Sequence, residues 1–484
     1  PTAGAGLGGT LGQRSTPPAV NTVGTRIRLP ETFKGRLAAI TCLGLLVRLA
    51  HLVLIAADNP LSGDAAAYHL AANLFADGLG FPEPFRYYFG AIDIIPMGTG
   101  DLVVETSIGH LEPSAGHPPV WTTLLGAFAF LGFTSVLQQQ VVSVVLGAPA
   151  IILMGILGRE VRSERVGLLA AIATAVYAFI WVNDGLMMAE TAAIAMATAT
   201  MLVGVRFWKD PSRGAAVVLG LVGGLAALTR AELGLFLPVV AAAVLVRSPL
   251  PWREKVLRYA CCGVAAMAIC MPWFARNIAT YDAPVFLSNG IGTVLVQANC
   301  DATYYGSDLG YWQVSCGNPP PYGPEGQILG EYERDLVVRQ RASEYISANR
   351  SRLLSVVVPA RVGRMWGVYE PIGQLRRDVH VDRRSMSVSL LGLAQFALLV
   401  PLAVAGMEVV RRRRGPLLVL AAWIPIATFT AATTFGNTRY RSAAETSLVI
   451  LAAVAADAML ERRHPGVPGT GQPVEASQPP GGSS

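Results

Sequence analysis

The sequence predicts an all-α polytopic membrane protein, a bundle of about 11 (10–12) transmembrane helices with two large polar intervals. The chain has 484 residues, of which 52% are hydrophobic and only 14% are charged, and its mean hydropathy is +0.45. These values lie outside the usual range of soluble domains. Apolar runs that reach or approach the roughly 20 residues of a spanning helix recur from residue 36 to residue 461. The chain is therefore expected to cross a bilayer many times.

The apolar segments follow one another along the chain at 36–57, 118–134, 137–158, 165–182, 188–206, 214–229, 232–248, 257–276, 386–409, 415–434 and 443–461. Basic clusters, which are enriched at cytoplasmic helix ends, flank five of them, at 158–165, 206–213, 252–258, 411–414 and 461–464. If these basic clusters are cytoplasmic, successive segments cross the membrane in alternating directions. The polar interval 277–385 then lies on the outer side of the membrane.

The segment at 118–134 is short and begins with HPPVW. We expect it either to fail to cross the bilayer or to be misdivided from its neighbour. With that allowance the polar interval 58–117 also lies outside. An active site on the outer, periplasmic or extracellular face of the plasma membrane then becomes possible.

Five regions follow from these segments. They are a disordered cytoplasmic tail (1–35), a transmembrane module with the outer interval 58–117 (36–276), an outer region (277–385), the C-terminal transmembrane helices (386–461) and a disordered tail (462–484). The formal charge of +6 indicates loop topology, so we expect no nucleic acid partner.

Both outer intervals contain local structure. Residues 64–76 predict a short helix with Leu70, Leu74 and Phe75 on one side, lying along the membrane interface. Residues 324–350 show a helical apolar pattern as well. Cys300 and Cys316 lie in a polar, aromatic-rich stretch, and they predict a disulfide in an oxidising compartment, with two free thiols as the alternative.

Asp64 follows Ser62 and Gly63 directly after the first apolar segment, in the stretch SGDAAAYHLAANLFADGLGF. One interpretation is a helix N-cap, because a short carboxylate accepts hydrogen bonds from the free N–H groups of the first turn. The other is a base at the membrane surface that deprotonates an acceptor hydroxyl.

Suitable partners for such a base are predicted on the same side. They are His117 in GHPPVW, Arg230 and Glu232 in TRAEL, Arg276 in PWFARN, and Arg439 and Arg441 in GNTRYR. Arginine suits a phosphate leaving group because its planar fork makes paired, charge-assisted hydrogen bonds. The alternatives are arginines that extend to lipid head groups and a structural histidine. Glu190 is either a buried-pair or capping residue or a contact for a polar acceptor.

Several motifs now stand in a fixed order: a first membrane helix with Arg48, GDAAAYHLAANLFADGLGF, HPPVWTTLLGAFAFLG, TRAELGLFLP, PWFARN and TRYR. Together they resemble the polytopic GT-C glycosyltransferases. The branch is the one that holds protein O-mannosyltransferases (family 39), aminoarabinose transferases and RgtA-like bacterial enzymes. The resemblance spans roughly residues 36 to 460, and the order and spacing of the motifs are more specific than any single one.

The resemblance implies a GT-C-like bundle and a sugar donor linked to a polyprenyl phosphate, with no nucleotide and usually no metal. Asp64 matches the catalytic acidic residue of the family's outer loop, with Tyr68 and His69 beside it. His117 stands where aminoarabinose transferases carry a lysine in a KPP pattern.

The expected function is inverting transfer of mannose, arabinose or a similar sugar to a hydroxyl of an envelope glycan, glycolipid or protein, with Asp64 as general base. The residues expected to hold the donor phosphate are Arg439, Arg441, Arg276 and His117. Those expected to contact sugar or acceptor are Tyr68, His69, Glu190, Glu232, Tyr305 and Trp312, although the aromatic residues of the loop are equally suited to packing it.

Two other classes are weighed against this expectation. A lipid or glycolipid transporter or flippase would carry ionisable residues in mid-bilayer and paired broken helices, whereas these charges cluster at helix ends. A non-catalytic scaffold would make Asp64 dispensable. No cofactor is predicted. Metal dependence stays open, since Asp64, Glu83 and Glu112 are scattered along the sequence.

Overall fold

The computed structural model describes residue 4 and residues 31–97, 100–317 and 329–463. Helices dominate these ranges, as the sequence predicted. The expected tails at 1–35 and 462–484 lie largely outside the described residues, but the first helix already begins at Phe33 and the last runs to Arg463.

The first part of the chain forms nine helices within the described residues: α1 (Phe33–His51), α2 (Gly63–Ala76), α3 (Pro84–Phe89), α4 (Pro119–Phe130), α5 (Val136–Leu146), α6 (Ala148–Val161), α7 (Glu164–Val176), α8 (Ala178–Trp181) and α9 (Glu190–Lys209). A π-helical turn, Leu52–Ala56, continues α1, and a 3₁₀ turn, Asp184–Leu186, precedes α9.

The remaining helices are α10 (Arg213–Thr229), α11 (Phe236–Arg247), α12 (Trp252–Tyr281), α13 (Ile291–Ala298), α14 (Asp301–Tyr304), α15 (Glu331–Ala348), α16 (Arg350–Arg352), α17 (Val358–Met365), α18 (Pro371–Asp382), α19 (Met386–Arg412), α20 (Leu417–Ala421), α21 (Trp423–Thr433) and α22 (Ser442–Arg463). A π-helical turn at Leu353–Val357 joins α16 to α17. Short 3₁₀ turns lie at Ala231–Leu235, Gly306–Asp308, Val314–Cys316 and Thr438–Arg441.

Each predicted apolar segment forms helix, but the count of about 11 full spans is not confirmed. Among the described residues, six stretches are long and apolar enough to cross a membrane: Phe33–Ala56, Val136–Val161, Glu190–Lys209, Trp252–Tyr281, Met386–Arg412 and Thr438–Arg463. A seventh would be the pair Glu164–Val176 and Ala178–Leu186, bent by 65°.

The short helix α4 is one reason why the predicted count is not confirmed. Its 12 residues rise only about 18 Å, well short of the roughly 30 Å of a bilayer's hydrocarbon core. This agrees with the expectation that the segment at 118–134 does not span fully. The helices Arg213–Thr229 and Leu417–Thr433 are also shorter than a full span.

The helix α22 is the centre of the bundle. Every residue from Ser442 to Ala455 is buried, and α7, α9, α19 and α21 pack around it. Gly406 of α19 lies so close to α22 that an added Cβ would come within 1.9 Å of the backbone oxygen of Leu451. The N-terminal end of this central helix carries the turn Thr438–Arg441, so that turn is held in the middle of the molecule.

The two polar intervals lie against each other. Arg334 of α15 forms an ion pair with Glu112 at 2.6 Å. Glu331 accepts hydrogen bonds from the N–H of Ala115 at 3.1 Å and from the hydroxyl of Tyr281 at 2.6 Å. These contacts make one continuous polar layer above the membrane helices.

A β-hairpin in the first polar interval was not predicted. Strands β1 (Ala91–Met97) and β2 (Gly100–Thr106) pair antiparallel, from Ala91 opposite Thr106 to Met97 opposite Gly100. The stretches AIDIIPM and DLVVET are rich in β-branched residues, which is the signal for a hairpin. The all-α expectation is therefore corrected at this one element of the described chain.

A disulfide joins Cys300 and Cys316, with 6.3 Å between their Cα atoms, and closes the loop that holds α14. The predicted helical pattern at 324–350 corresponds to α15, and the part of it at 324–328 lies outside the described residues.

Replacing both Cys300 and Cys316 with Ser is expected to destabilise the loop by about 3 kcal/mol, since the bond closes a loop of 16 residues. Thermal unfolding in detergent and protease cleavage within residues 300–316 measure the loss. Cys42→Ser, which removes an exposed free thiol, serves as the control. A reductant that lowers the melting temperature of the double variant as much as that of the parent would contradict this.

Candidate active site

Asp64 lies in the first turn of α2 but does not cap it. Ser62 is the cap, because its Oγ accepts a hydrogen bond from the N–H of Ala65 at 3.3 Å. The interpretation of Asp64 as an N-cap is therefore wrong. Its carboxylate contacts Arg439 instead, and the positive end of the α2 dipole favours its ionised form.

Arg439 is the centre of the site. Its Nη2 donates to Asp64 Oδ2 at 2.8 Å, its Nε donates to Glu190 Oε1 at 2.8 Å, and its Nη1 donates to Asp382 Oδ1 at 3.2 Å. These carboxylates come from α2, α9 and α18. The backbone N–H of Arg439 donates to Asn437 Oδ1 at 2.9 Å, which fixes the turn before α22. One guanidinium thus joins three distant parts of the chain.

A second guanidinium extends this network. Arg230 donates through Nη1 to Glu190, which both arginines therefore share, and its Nε lies 2.6 Å from Glu232 Oε1. Glu190 is fully buried, and a buried carboxylate is tolerated only when opposite charges compensate it. The two arginines supply that compensation.

The side of the site formed by α18 was missed by the sequence analysis. Asp382 contacts Arg439, and Asp378 accepts a hydrogen bond from the hydroxyl of Thr438 at 2.5 Å. Arg384 donates to the same Thr438 oxygen at 2.9 Å. The spacing of Asp378 and Asp382, four residues apart in the basic stretch QLRRDVHVDRR, places both on one helix face and is the signal that could have found them.

Asp64 is the member of the cluster that is open to solvent. Its side chain is 40% exposed, against 16% for Arg439 and 2% for Asp382. Burial is the largest single effect on the pKa of Asp64 and raises it, but the charges of Arg439 and His117 and the hydrogen bond from Arg439 together outweigh burial and hold the pKa below its ordinary value. Asp64 is therefore a carboxylate at neutral pH, accessible to a ligand.

Asp382 behaves in the opposite way. Burial raises its pKa to about 6, although Arg439 and Arg384 act against that shift. Its Oδ2 accepts no hydrogen bond among the described residues. Asp382 consequently gains or loses its charge within the physiological range.

His117 and Tyr68 border the same opening. The hydroxyl of Tyr68 lies 3.4 Å from His117 Nδ1, and the two ring centroids are 4.8 Å apart. Desolvation lowers the pKa of His117 and outweighs the nearby charge of Asp64, although the residue is exposed at the surface. The imidazole is thus neutral at pH 7, and any contact with an anion would be a hydrogen bond.

Two predicted phosphate ligands lie elsewhere. Arg276 donates to the backbone oxygens of Ser114 and Phe81 at 3.0 and 3.1 Å, so it holds the first polar interval in place. Arg441 is buried inside the bundle, 2.5 Å from Glu445, which also accepts a hydrogen bond from Tyr177. Both guanidinium groups are engaged by the protein itself, and we leave them out of the proposed phosphate site.

Some of the residues predicted to contact the sugar are also engaged by other side chains of the protein. His69 Nδ1 lies 2.9 Å from Gln139 Oε1, on the side of α2 that packs on α5. The ring of Tyr305 is covered by the guanidinium of Arg352 at 3.9 Å. Trp312 lies beside Phe435, 6.0 Å between ring centroids, in the link that precedes the turn Thr438–Arg441.

The carboxylates once considered as scattered metal ligands have structural partners. Glu83 caps α3 through the N–H of Arg86, and Glu112 pairs with Arg86 and Arg334. Within the described ranges no three His, Cys, Asp or Glu side chains come together in a way that could hold a metal ion.

Part of the chain matches the sequence model of a known family. Residues 116–275 match the sequence model of the family described as dolichyl-phosphate-mannose-protein mannosyltransferase. The matched stretch contains His117, Glu190, Arg230 and Glu232. No curated protein matches the chain.

The fold is similar to that of the archaeal oligosaccharyltransferase AglB from Archaeoglobus fulgidus, solved in complex with an inhibitory peptide and a dolichol-phosphate. The TM-score is 0.51 at 14% identity, over 88% of this chain and 51% of that one. ArnT from Cupriavidus metallidurans, bound to undecaprenyl phosphate, gives a TM-score of 0.38 at 14% identity, over 87% of this chain and 77% of that one. This chain thus spans about half the length of the archaeal enzyme.

The fold is similar to that of the archaeal membrane enzyme, in agreement with the GT-C-like bundle that the resemblance of the motifs implied. Residues 116–275 carry the sequence pattern of the family described as dolichyl-phosphate-mannose-protein mannosyltransferase.

Arg439→Leu is expected to destabilise the protein by about 3–5 kcal/mol, because it leaves the buried Glu190 and Asp382 without their shared cation. Unfolding in mixed detergent and SDS measures the change. The double variant Arg439→Leu, Glu190→Gln should recover part of the loss, since it removes one uncompensated charge.

The matched control is Arg411→Leu, which breaks an ion pair whose two side chains are 67% and 39% exposed. Exposed pairs of this kind contribute little, so no measurable change is expected. An equal loss of unfolding free energy in Arg439→Leu and Arg411→Leu would show that the network at Arg439 contributes no more to stability than an exposed ion pair.

Proposed function

We propose that the protein is a membrane glycosyltransferase that moves one sugar from a polyprenyl-phosphate donor to a hydroxyl group, with Asp64 as general base. The observation that carries the proposal is the solvent-open carboxylate of Asp64, held by Arg439 within a buried charge network on a GT-C fold. The match of residues 116–275 to a dolichyl-phosphate-mannose-dependent family supports this donor class.

The proposed reaction is one inverting displacement. The acceptor oxygen attacks the anomeric carbon as the bond from that carbon to the phosphate oxygen breaks, and the electron pair leaves with the phosphate. Asp64 takes the hydroxyl proton. Because its pKa is depressed, Asp64 is a weak base, and proton transfer belongs late in the step, when the attacking oxygen has become acidic.

Arg439 is the proposed ligand of the leaving phosphate. A guanidinium carries five N–H donors, and three nitrogens of Arg439 each direct one to a carboxylate, which leaves two for a ligand. A phosphate that arrives here competes with Asp64 for Nη2. Donor binding would thereby loosen Asp64 from its cation and raise its basicity when it is needed. His117, across the opening, adds a neutral hydrogen bond.

The balance of charges around Arg439 favours the displacement of Asp64 by the phosphate. The immediate cluster has four carboxylates, on Asp64, Glu190, Glu232 and Asp382, around the guanidinium groups of Arg230 and Arg439. An incoming phosphate adds negative charge, so one carboxylate must move away. Asp64, exposed at the edge, is the one that is free to move.

The lipid chain of the donor has a fitting apolar groove. A cavity of about 530 Å³ runs beside α19, with walls formed by Trp366, Val368, Leu393, Phe396, Val400 and Val404 among others. Phe396 also packs under the guanidinium of Arg441 at 3.9 Å, two residues from Arg439. From Leu393 to Met407 the groove follows α19 for about 21 Å, along the direction of a lipid tail.

The setting we propose is the plasma membrane, with the site on its outer face and an envelope glycan, glycolipid or protein as acceptor. The joined polar intervals 58–117 and 277–385 enclose the site, and the basic loops predicted to be cytoplasmic lie at the other ends of the helices.

Asp64→Asn and Asp64→Ala are expected to lower sugar transfer by at least about 1,000-fold, because the reaction loses its base and no other solvent-open carboxylate contacts Arg439 among the described residues. Transfer of radiolabel from polyprenyl-phosphate mannose or arabinose to membrane acceptors measures it, at matched protein levels.

Asp77→Asn, at the other end of the same helix, is the control and should transfer normally. Normal transfer by both Asp64 variants would refute the assigned base. A wild-type protein that moves the lipid between leaflets without breaking a bond would instead favour the transporter class.

Transfer is expected to fall as the pH drops through about 6. Asp382 is ionised above that pH and protonated below it, and once neutral it leaves Arg439 bound more tightly to Asp64. The depressed pKa of Asp64 keeps that residue ionised over the same range. The pH profile of kcat/KM measures this fall in transfer on the acidic side.

Asp382→Asn should give low transfer that no longer depends on pH between about 5 and 7. A limb that persists in Asp382→Asn but disappears in His117→Gln would assign the titration to His117.

A further inference from the structure

A row of partly exposed aromatic rings leads from the disulfide-closed loop to the charge network. The ring centroid of Trp312 is 6.0 Å from that of Phe435, which is 5.0 Å from that of Tyr440. The guanidinium of Arg230 lies 5.8 Å from the centroid of Tyr440. We call Trp312, Phe435 and Tyr440 the aromatic row.

The rings of the row are partly exposed. All three residues are intermediate in exposure, whereas the neighbouring Tyr311 is buried. The planes are tilted by 41° between Trp312 and Phe435 and by 60° between Phe435 and Tyr440, so the rings are not stacked face to face, and Tyr440 also packs against the hydrophobic core. A loop that merely packed its aromatic residues would bury them, as it does with Tyr311.

The row ends at the proposed reaction centre. Tyr440 follows Arg439 in the same 3₁₀ turn, and Arg230 shares Glu190 with Arg439. Glu232, 25% exposed and bonded to Arg230, places a carboxylate beside this end of the row. A molecule lying on the row therefore presents its end to the groups that contact Asp64.

We propose that the aromatic row is a carbohydrate-binding subsite and that the acceptor is a glycan; this rests on the function proposed above. Sugar rings carry flat C–H faces that pack on aromatic rings, and polar edges that need only a few hydrogen-bonding groups. The row supplies the rings, and Arg230 with Glu232 supplies the polar groups at its inner end. Phe435 and Tyr440 are specificity residues that the sequence motifs do not reveal.

Saturation-transfer NMR on the full chain in nanodiscs tests this without requiring turnover. The probes are α-linked mannotetraose and a Ser/Thr-rich peptide of similar mass. Mannotetraose is expected to receive saturation from the wild-type protein, the signal should fall at least about fivefold in Trp312→Ala and Phe435→Ala, and Trp312→Phe should restore most of it. The peptide should receive none.

Phe286→Ala is the matched control, because this ring lies in the same polar interval, is 59% exposed and stacks on Phe274 away from the row. It should leave the sugar signal unchanged, and equal melting temperatures show that the variants fold. Saturation of the peptide alone, of neither probe, or of mannotetraose equally in wild type and Trp312→Ala would overturn the proposal.

The donor reaction separates this inference from the proposed function. Release of labelled sugar from polyprenyl-phosphate mannose to water should require Asp64 and survive Trp312→Ala. Sugar binding that depends on Trp312 in a protein without Asp64-dependent release would leave the subsite standing and the transferase proposal refuted.

Discussion

The structure depends on one guanidinium bonded to three carboxylates. Arg439 and Asp64 are 375 residues apart in the sequence, and Glu190 and Asp382 come from two further helices. Glu190 and Asp382 would be costly in a low-dielectric interior without a cation, so α9 and α18 are held to the turn that carries Arg439. The more exposed Asp64 adds α2 to the same contact, which is the reaction centre that we propose.

This arrangement explains why the groups differ in behaviour although their chemistry is similar. Glu190 and Asp382 are enclosed, whereas Asp64 stands at the edge with the lowest cost of separation from the cation. A network that shares one cation among unequal partners responds to a new anion by releasing the most exposed one. Position within the network, and not residue type, is therefore the ground on which we propose Asp64 as the base.

Much of the fold follows from local patterns in the sequence, since apolar length and basic loop ends fix helices and their direction. Asp64 and Arg439 were both identified as candidates, because each stands at the end of an apolar segment. The contact between them could not be predicted from the sequence, because an ion pair between residues 375 positions apart leaves no periodic signal. Asp378 and Asp382 were overlooked because the arginines around them resemble an ordinary basic loop.

The hairpin β1–β2 and the capping role of Ser62 were missed for other reasons. The hairpin has a signal in the β-branched stretches AIDIIPM and DLVVET, which the sequence analysis did not use. The cap depends on which of several polar residues meets a free backbone N–H group, and the sequence offered Asp64 as an equally suitable cap. The predicted number of spans is not confirmed at α4 and the other short apolar helices, because hydropathy measures how apolar a helix is and not how far it reaches.

The close approach of Gly406 to Leu451 has a mechanical consequence. Backbones in direct contact leave no room for one helix to slide or turn against the other, and α22 is enclosed by further helices along most of its length. The turn Thr438–Arg441, which carries Arg439, is thus attached to a helix that cannot shift against its neighbours. Rocking of one half of the bundle against the other would have to break these backbone contacts.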